Sequence, residues 1–271
     1  MVTFEGLPGA VAVSHLTVYD WPAADGLRGG TPHLHLTCSE GYVVASGAGS
    51  VQTLTATGFR QTPLAPGALV WFTPGTIHRL VNEDGLRVVV LMQNSGLPEA
   101  GDAVLTLPPA LLTGPDVYGT AVALPPDGTE AERERAARTR RDLAVEGFLA
   151  LREAADAGDP APLAAFHRAA AALVRPRVQE WRTRWERGAA MAAAATAAQL
   201  DALGRGEWDH LEGARVHGQR PVVRGRFGMC GRLDFTRCER SPRSPEPARQ
   251  GRIHAGTSAA GWWSRRPPGC P

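Results

Sequence analysis

Two histidines and a glutamate in the first quarter of the chain are the residues best suited to bind a metal ion. His33 and His35 lie two positions apart in a segment that alternates like a β-strand. Because successive strand side chains point to opposite faces, both imidazoles share one face. Glu40 follows a short polar break, at the start of a second strand-like run. Two imidazoles and a carboxylate on adjacent strands supply most of a divalent-metal site.

A later stretch supplies the missing ligand. Pro74-Gly75 predicts a tight turn, after which a new strand carries His78 and Asn82. The two side chains are four residues apart and therefore face the same side of that strand. His78 is the obvious fourth ligand.

Together the two stretches resemble the paired motifs of the cupin superfamily, which are His-x-His-x4-Glu-x6-Gly and Pro-Gly-x-x-His-x-x-x-Asn. The matching residues are His33, His35, Glu40, Gly47, Pro74, Gly75, His78 and Asn82. The resemblance covers about residues 8–98. It departs from the pattern of many members at Leu27, where they have a glycine, and at Pro74-Gly75, where they have a spacer between the proline and the glycine. Neither departure involves a ligand.

The resemblance implies a small antiparallel jelly-roll barrel that holds one divalent transition metal. The implied ligands are His33, His35, Glu40 and His78, a donor set that suits Fe, Mn, Ni, Zn or Co. Four protein ligands leave positions open for water, substrate or oxygen on a six-coordinate ion, as in a catalytic site. Glu40 is also the candidate catalytic residue, because it could release the metal and act as a general base.

Two further residues are candidates for the substrate pocket. Tyr42 and Asn82 share the inward parity of Glu40 and His78 on their strands. For Tyr42, packing in the barrel wall and a hydrogen bond to substrate are alternatives of equal weight. For Asn82, a structural role is the favoured interpretation.

Short strand-like runs surround both motifs and are separated by turn-forming sequences rich in Gly, Pro and Asp. The runs are 10–19, 31–36, 40–46, 50–55, 58–63, 68–73, 77–82 and 86–92. Short strands at such close intervals predict an antiparallel sandwich or barrel. The predicted fold class is therefore mainly β, followed by an α-helical C-terminal region, and the resemblance to cupins implies that the β part is a jelly-roll barrel.

Helical patterns replace the strands in the second half of the chain. A capping box at Thr129 and Glu132 predicts a helix that ends near Ala157. A second helix starts after Asp159 and should be interrupted at Pro176. An alanine-rich third helix covers 189–203. The expected organisation is a barrel (8–98), a connecting segment (99–128), a helical extension (129–213) and an irregular tail (214–271).

The last segment differs in composition from the rest. Residues 214–271 hold 12 arginines against three acids, a charge of +9 that leaves about −7 for residues 1–213. Beyond about Leu233 the sequence is rich in arginine and proline and has no usable periodicity. A disordered tail, a basic interaction arm and an out-of-frame translation of a GC-rich gene are the alternatives, and the last is favoured over an arm.

Composition excludes several classes of function. The chain contains no lysine, which rules out Schiff-base chemistry and a P-loop lysine. No apolar run has the length of a membrane span, and no secretory signal is evident, so a cytoplasmic location is expected. The acidic first three-quarters and the lack of a basic recognition helix predict no nucleic-acid partner.

The four cysteines are scattered and contain no Cys-x-x-Cys pair, so they are interpreted as thiols. Cys38 lies between His35 and Glu40 and could bind the metal, although a small turn residue is the favoured interpretation.

Two function hypotheses from different classes follow. The leading one is a mononuclear metal-dependent enzyme of dioxygenase or isomerase type that acts on a small organic molecule. The alternative is a non-catalytic, ligand-binding or sensory barrel whose helices serve partner binding or homodimerisation. The identity of the bound metal and the reactions that it supports would distinguish the enzyme from the binding barrel.

Overall fold

The structure is a computed structural model that describes residues 6–236. The strands are β1 (Ala12–Val18), β2 (His33–His35), β3 (Glu40–Thr55), β4 (Gly58–Leu64), β5 (Leu69–Phe72), β6 (Ile77–Met92), β7 (Ala103–Leu105), β8 (Pro221–Phe227) and β9 (Gly231–Thr236). The helices are α1 (Pro115–Val122), α2 (Glu130–Asp156), α3 (Ala161–Val174), α4 (Val178–Trp185), α5 (Met191–Gly204) and α6 (Asp209–Glu212). All strand pairs are antiparallel.

Two long bent strands, β3 and β6, pair along their whole length and join the two halves of the barrel. The first half of β3 and the second half of β6 lie with β5, β1, β9 and β8. The second half of β3 and the first half of β6 lie with β4, β2 and β7. This arrangement of one antiparallel sheet folded on itself confirms the predicted fold class, with the helices in the C-terminal half.

The predicted turns at 47–50 and 83–85 are bulges within continuous strands. Gly47 has a positive φ of 79°, and a Cβ there would lie 2.4 Å from the carbonyl oxygen of Asp84. Ala48 pairs with both Asp84 and Gly85, which is the register shift of a β-bulge. The chain therefore bends at these glycines without losing its partner, and four predicted strands become two.

The connecting segment also contributes to the barrel. Strand β7 pairs with β2 along its length, so the short strand that carries His33 and His35 is held between β6 and β7. Sequence analysis found no strand here because three residues are too few to show an alternating pattern.

The expectation of an irregular segment from residue 214 is wrong for residues 221–236. These residues form the hairpin β8–β9, and β9 pairs with β1 from Ser14 to Val18. Burial of Cys230 and Gly231 against the first strand supplies the contacts that local composition does not reveal. Residues 237–271, to which the three alternatives for the tail apply, lie outside the described residues.

The helices follow the predicted pattern. The Thr129 hydroxyl accepts from the Glu132 N–H while the Glu132 carboxylate accepts from the Thr129 N–H, which confirms the capping box at the start of α2. The helix after Asp159 gives way at Pro176 to a 3₁₀ turn between α3 and α4. Among residues 6–236, none of the helices has both the length and the apolar character needed to span a bilayer.

Helix α2 packs against the outside of the barrel. Phe148 lies near Phe59 of β4, with ring centroids 6.3 Å apart. The Thr106 hydroxyl donates to the Ala144 carbonyl at 2.8 Å. Gly147 makes this approach possible, because a Cβ there would lie 2.0 Å from the Thr106 carbonyl oxygen.

Candidate metal centre

The four predicted ligands meet in one buried cluster. The cluster consists of His33 and His35 on β2, Glu40 at the start of β3 and His78 on β6, and its donor atoms lie within 4.8 Å of one another. His33 and His78 are direct partners in the β2–β6 pair, which explains how residues from separate motifs come together. All four side chains are buried.

The donor atoms converge closely. Nε2 of His78 lies 2.9 Å from Oε2 of Glu40, and Nε2 of His35 lies 3.3 Å from the same oxygen. Nε2 of His33 is 3.1 Å from Nε2 of His78. Three imidazole nitrogens and one carboxylate oxygen therefore point at a common space.

Hydrogen bonds on the other side of the rings determine which nitrogen can bind a cation. Nδ1 of His33 bonds to the Thr31 carbonyl at 2.8 Å, and Nδ1 of His78 bonds to the Thr76 carbonyl at 3.1 Å. A carbonyl oxygen only accepts, so Nδ1 is the donor in both rings. In the neutral rings, the two Nε2 lone pairs then face each other, an arrangement that a metal ion would stabilise.

His35 has a different partner, which sequence analysis missed. Oδ1 of Asp102 accepts from Nδ1 of His35 at 2.6 Å, and Oδ2 accepts from the N–H and the hydroxyl of Thr37 at 3.2 and 2.9 Å. Asp102 is fully buried and directly precedes β7. Only the β2–β7 pairing reveals this contact, because the two residues are 67 positions apart.

The electrostatics of the cluster favour a positive charge at its centre. Burial would lower the pKa of His35, but the carboxylates of Asp102 and Glu40 outweigh it and raise that pKa to about 10. Burial would raise the pKa of Glu40, but His78 and His35 outweigh it and hold the pKa well below its usual range. Burial and the neighbouring imidazoles lower the pKa of His33, which keeps that ring neutral and able to act as a ligand.

The two predicted pocket residues, Tyr42 and Asn82, are both buried. The Asn82 amide donates to the carbonyls of Val18 and Tyr19 and accepts from the Leu86 N–H, so it joins β1 to the bulge of β6. Tyr42 is buried beside Glu40 without a well-formed hydrogen bond of its hydroxyl. Neither is among the described residues that line the cavity at the cluster.

A cavity of about 90 Å³ lies against the cluster, and its wall includes His33, His35 and Glu40. Most of the remaining wall is apolar and comes from β1, β6 and the C-terminal hairpin. The half-buried Glu99 also lines the cavity. The pKa of its carboxyl is raised mainly by burial and, to a smaller extent, by the negative charge of Asp102. The cluster therefore borders a cavity on one side.

No family model and no curated protein matches this sequence. Solved structures that it resembles include an uncharacterized protein with a double-stranded β-helix domain from Klebsiella pneumoniae (18% identity, 32% of this chain and 67% of that one, TM-score 0.25). A second is the nucleoside dehydratase Pac13 from Streptomyces (16% identity, 37% of this chain and 72% of that one, TM-score 0.28). A third is the TDP-quinovose 3,4-ketoisomerase WlaRB from Campylobacter jejuni (14% identity, 30% of this chain and 60% of that one, TM-score 0.25). These neighbours are double-stranded β-helix proteins of the cupin type. The fold assignment rests on this chain's own strand pairing.

Proposed function

We propose that this chain binds one divalent transition metal and is a mononuclear metal-dependent enzyme acting on a small organic molecule. The observation that carries the proposal is the convergence of three imidazole Nε2 atoms and one carboxylate oxygen at the wall of a cavity. A buried group of this kind, with each outer ring nitrogen held by an acceptor, has the features of a preorganised metal site.

The residues that would hold the ion are His33, His35, Glu40 and His78, and their nitrogen and oxygen donors fit Fe, Mn, Ni, Zn or Co. When bound, such an ion would supply Lewis acidity for isomerase or lyase chemistry or, for a redox-active metal, dioxygenase chemistry.

The chain's own groups would hold and orient the substrate. Glu40 lines the cavity, so its carboxylate is in position to exchange a proton with a bound molecule. Glu99 lines the same cavity and offers a second carboxyl whose raised pKa suits proton transfer nearer neutral pH. The apolar remainder of the wall excludes water from that space.

Metal content tests the proposal. Protein purified without oxygen is expected to contain stoichiometric metal by elemental analysis, and His33→Ala and His78→Ala are expected to lose it. His15→Ala is the matched control, because His15 is exposed on β1 outside the cluster. Unchanged metal content in both cluster variants would refute the assignment.

The second candidate is a non-catalytic barrel that binds a small ligand, which the predominantly apolar wall of the cavity also suits. Oxygen uptake or substrate turnover by the metal-loaded protein would favour the enzyme. Ligand binding that persists after complete removal of the metal would favour the binding module.

A further inference from the structure

Buried contacts hold the turn of the hairpin β8–β9 against the first part of the chain. The Gly228 carbonyl accepts from the Tyr19 hydroxyl at 3.0 Å and from Nη2 of Arg140 at 2.6 Å. The Met229 carbonyl accepts from the N–H and the hydroxyl of Thr31 at 3.1 and 2.7 Å. The turn is therefore fixed beside the segment that leads into β2 and its histidine ligands.

Two glycines allow this close approach. A Cβ on Gly30 would lie 2.6 Å from Cα of Cys230, and a Cβ on Gly231 would lie 2.1 Å from the Thr17 carbonyl. The hairpin is thus packed backbone to backbone with the strands around the cluster, and it closes one side of the barrel.

Side chains of the hairpin line the same cavity as the proposed ligands. Met229, Leu233 and Phe235 belong to this wall. Apolar residues of β1 and β6, among them Leu16 and Val90, line the same cavity. A molecule that reaches the cluster therefore lies against hydrocarbon contributed by the C-terminal hairpin.

The polar groups of the cavity limit what can bind there. Apart from the proposed ligands, the described lining offers Ser14, Cys230 and Glu99, and it contains no arginine. The chain has no lysine. Away from the cluster, a phosphate group would find neither arginine nor lysine among the described lining residues to pair with it, which is costly in a buried space.

We propose, on the basis of the function proposed above, that the hairpin is the specificity wall of the substrate pocket. The substrate class is a small molecule that carries a metal-binding oxygen group at one end and, at the other end, a short apolar group without phosphate. The oxygen group reaches the cluster, and the apolar group packs against Leu233 and Phe235 of β9.

Simple carboxylates test this inference on the full-length, Co(II)-loaded protein. Acetate and butyrate are titrated while the visible absorption of Co(II) reports ligand binding at the ion. Burial of one methylene favours binding about fourfold, and butyrate has two more methylenes than acetate, so the wild type is expected to bind butyrate about 15-fold more tightly than acetate. Leu233→Asn is expected to remove most of this preference and to leave acetate affinity within about twofold.

Val223→Asn is the matched control, because Val223 is an exposed aliphatic residue of the same hairpin and is outside the described lining. It is expected to keep the wild-type preference. If Leu233→Asn does not fold, Leu233→Ala serves the same purpose, and the wild-type comparison of the two carboxylates needs no variant.

The outcomes separate the two proposals. Co(II) binding with equal affinity for acetate and butyrate, or with a preference that survives both Leu233 variants, would overturn the specificity wall alone. Absence of Co(II) binding by the wild type would overturn the proposed function and the specificity wall with it.

Discussion

Asp102 supports a proposed metal ligand from outside both sequence motifs. Its carboxylate holds the proton of His35 on Nδ1, which directs Nε2 to the cluster. We expect Asp102→Ala to lower metal affinity by about 10- to 100-fold and Asp102→Asn, which keeps an acceptor oxygen, to lower it less. The metal affinity of each variant is measured by competition with a chelator of known affinity.

Asp25→Asn is the control for this prediction, since Asp25 is a partly buried carboxylate that pairs with Arg79 and not with a ligand. Equal metal affinity in wild type and Asp102→Ala would show that the His35–Asp102 contact does not position the ligand.

The Asp25–Arg79 pair predicts a pH-dependent part of stability. Arg79 is fully buried and lies 2.5 Å from Oδ2 of Asp25. Burial acts to raise the pKa of Asp25, but the hydrogen bond and charge of Arg79 outweigh it and lower the pKa. The stabilisation is therefore present above the unfolded pKa of about 3.9 and is lost as the pH falls through the folded pKa.

We expect Asp25→Asn to lower the free energy of unfolding by about 3 kcal/mol at pH 7, because it leaves a buried cation unpaired. In urea unfolding, the difference between variant and wild type should shrink as the pH falls below about 4. A difference that stays constant from pH 7 to pH 3 would contradict this account.

At the scale of elements, Gly147 in the middle of α2 is required by packing. Glycine usually weakens a helix by about 0.5–1 kcal/mol relative to alanine. Here a Cβ would lie 2.0 Å from the Thr106 carbonyl, so Gly147→Ala is expected to destabilise the protein by about 1–3 kcal/mol. Thermal unfolding followed by circular dichroism measures the change.

Gly119 in α1 provides the comparison, because a Cβ there meets no atom within 4 Å. Gly119→Ala is expected to stabilise the protein by about 0.5–1 kcal/mol. Stabilisation by both substitutions would show that α2 does not approach the barrel as closely as described.

The elements differ in how far the sequence predicts them. His33, His35, Glu40 and His78 were predicted because strand alternation and motif spacing are local properties. The capping box of α2 was predicted for the same reason. At Gly47 the sequence predicts a turn where the structure has a bulge, because glycine-rich stretches form both.

The rest of the site depends on contacts between distant parts of the chain. Asp102 reaches His35 only through the pairing of β7 with β2. The hairpin reaches the cavity only through the pairing of β9 with β1, more than 200 residues earlier in the chain. Its arginine-rich sequence has no strong strand pattern, so composition alone suggested an irregular tail.

At the scale of the whole molecule, the barrel is completed by both ends of the described chain. A chain that ends at residue 219 would lack β8 and β9 and would leave Tyr19, Thr31 and Arg140 without the acceptors described above. Each buried donor that loses its acceptor costs about 1–3 kcal/mol. We therefore expect the truncated protein to lack a cooperative thermal transition. A melting temperature equal to that of the full chain would contradict the closure of the barrel by the hairpin.

The most direct test of the metal centre is anomalous diffraction from crystals of the metal-loaded protein. The account predicts one strong peak at bonding distance, about 2.0–2.2 Å, from the Nε2 atoms of the three histidines and a carboxylate oxygen of Glu40. An absent peak, or a peak bound by other residues, would contradict the central claim.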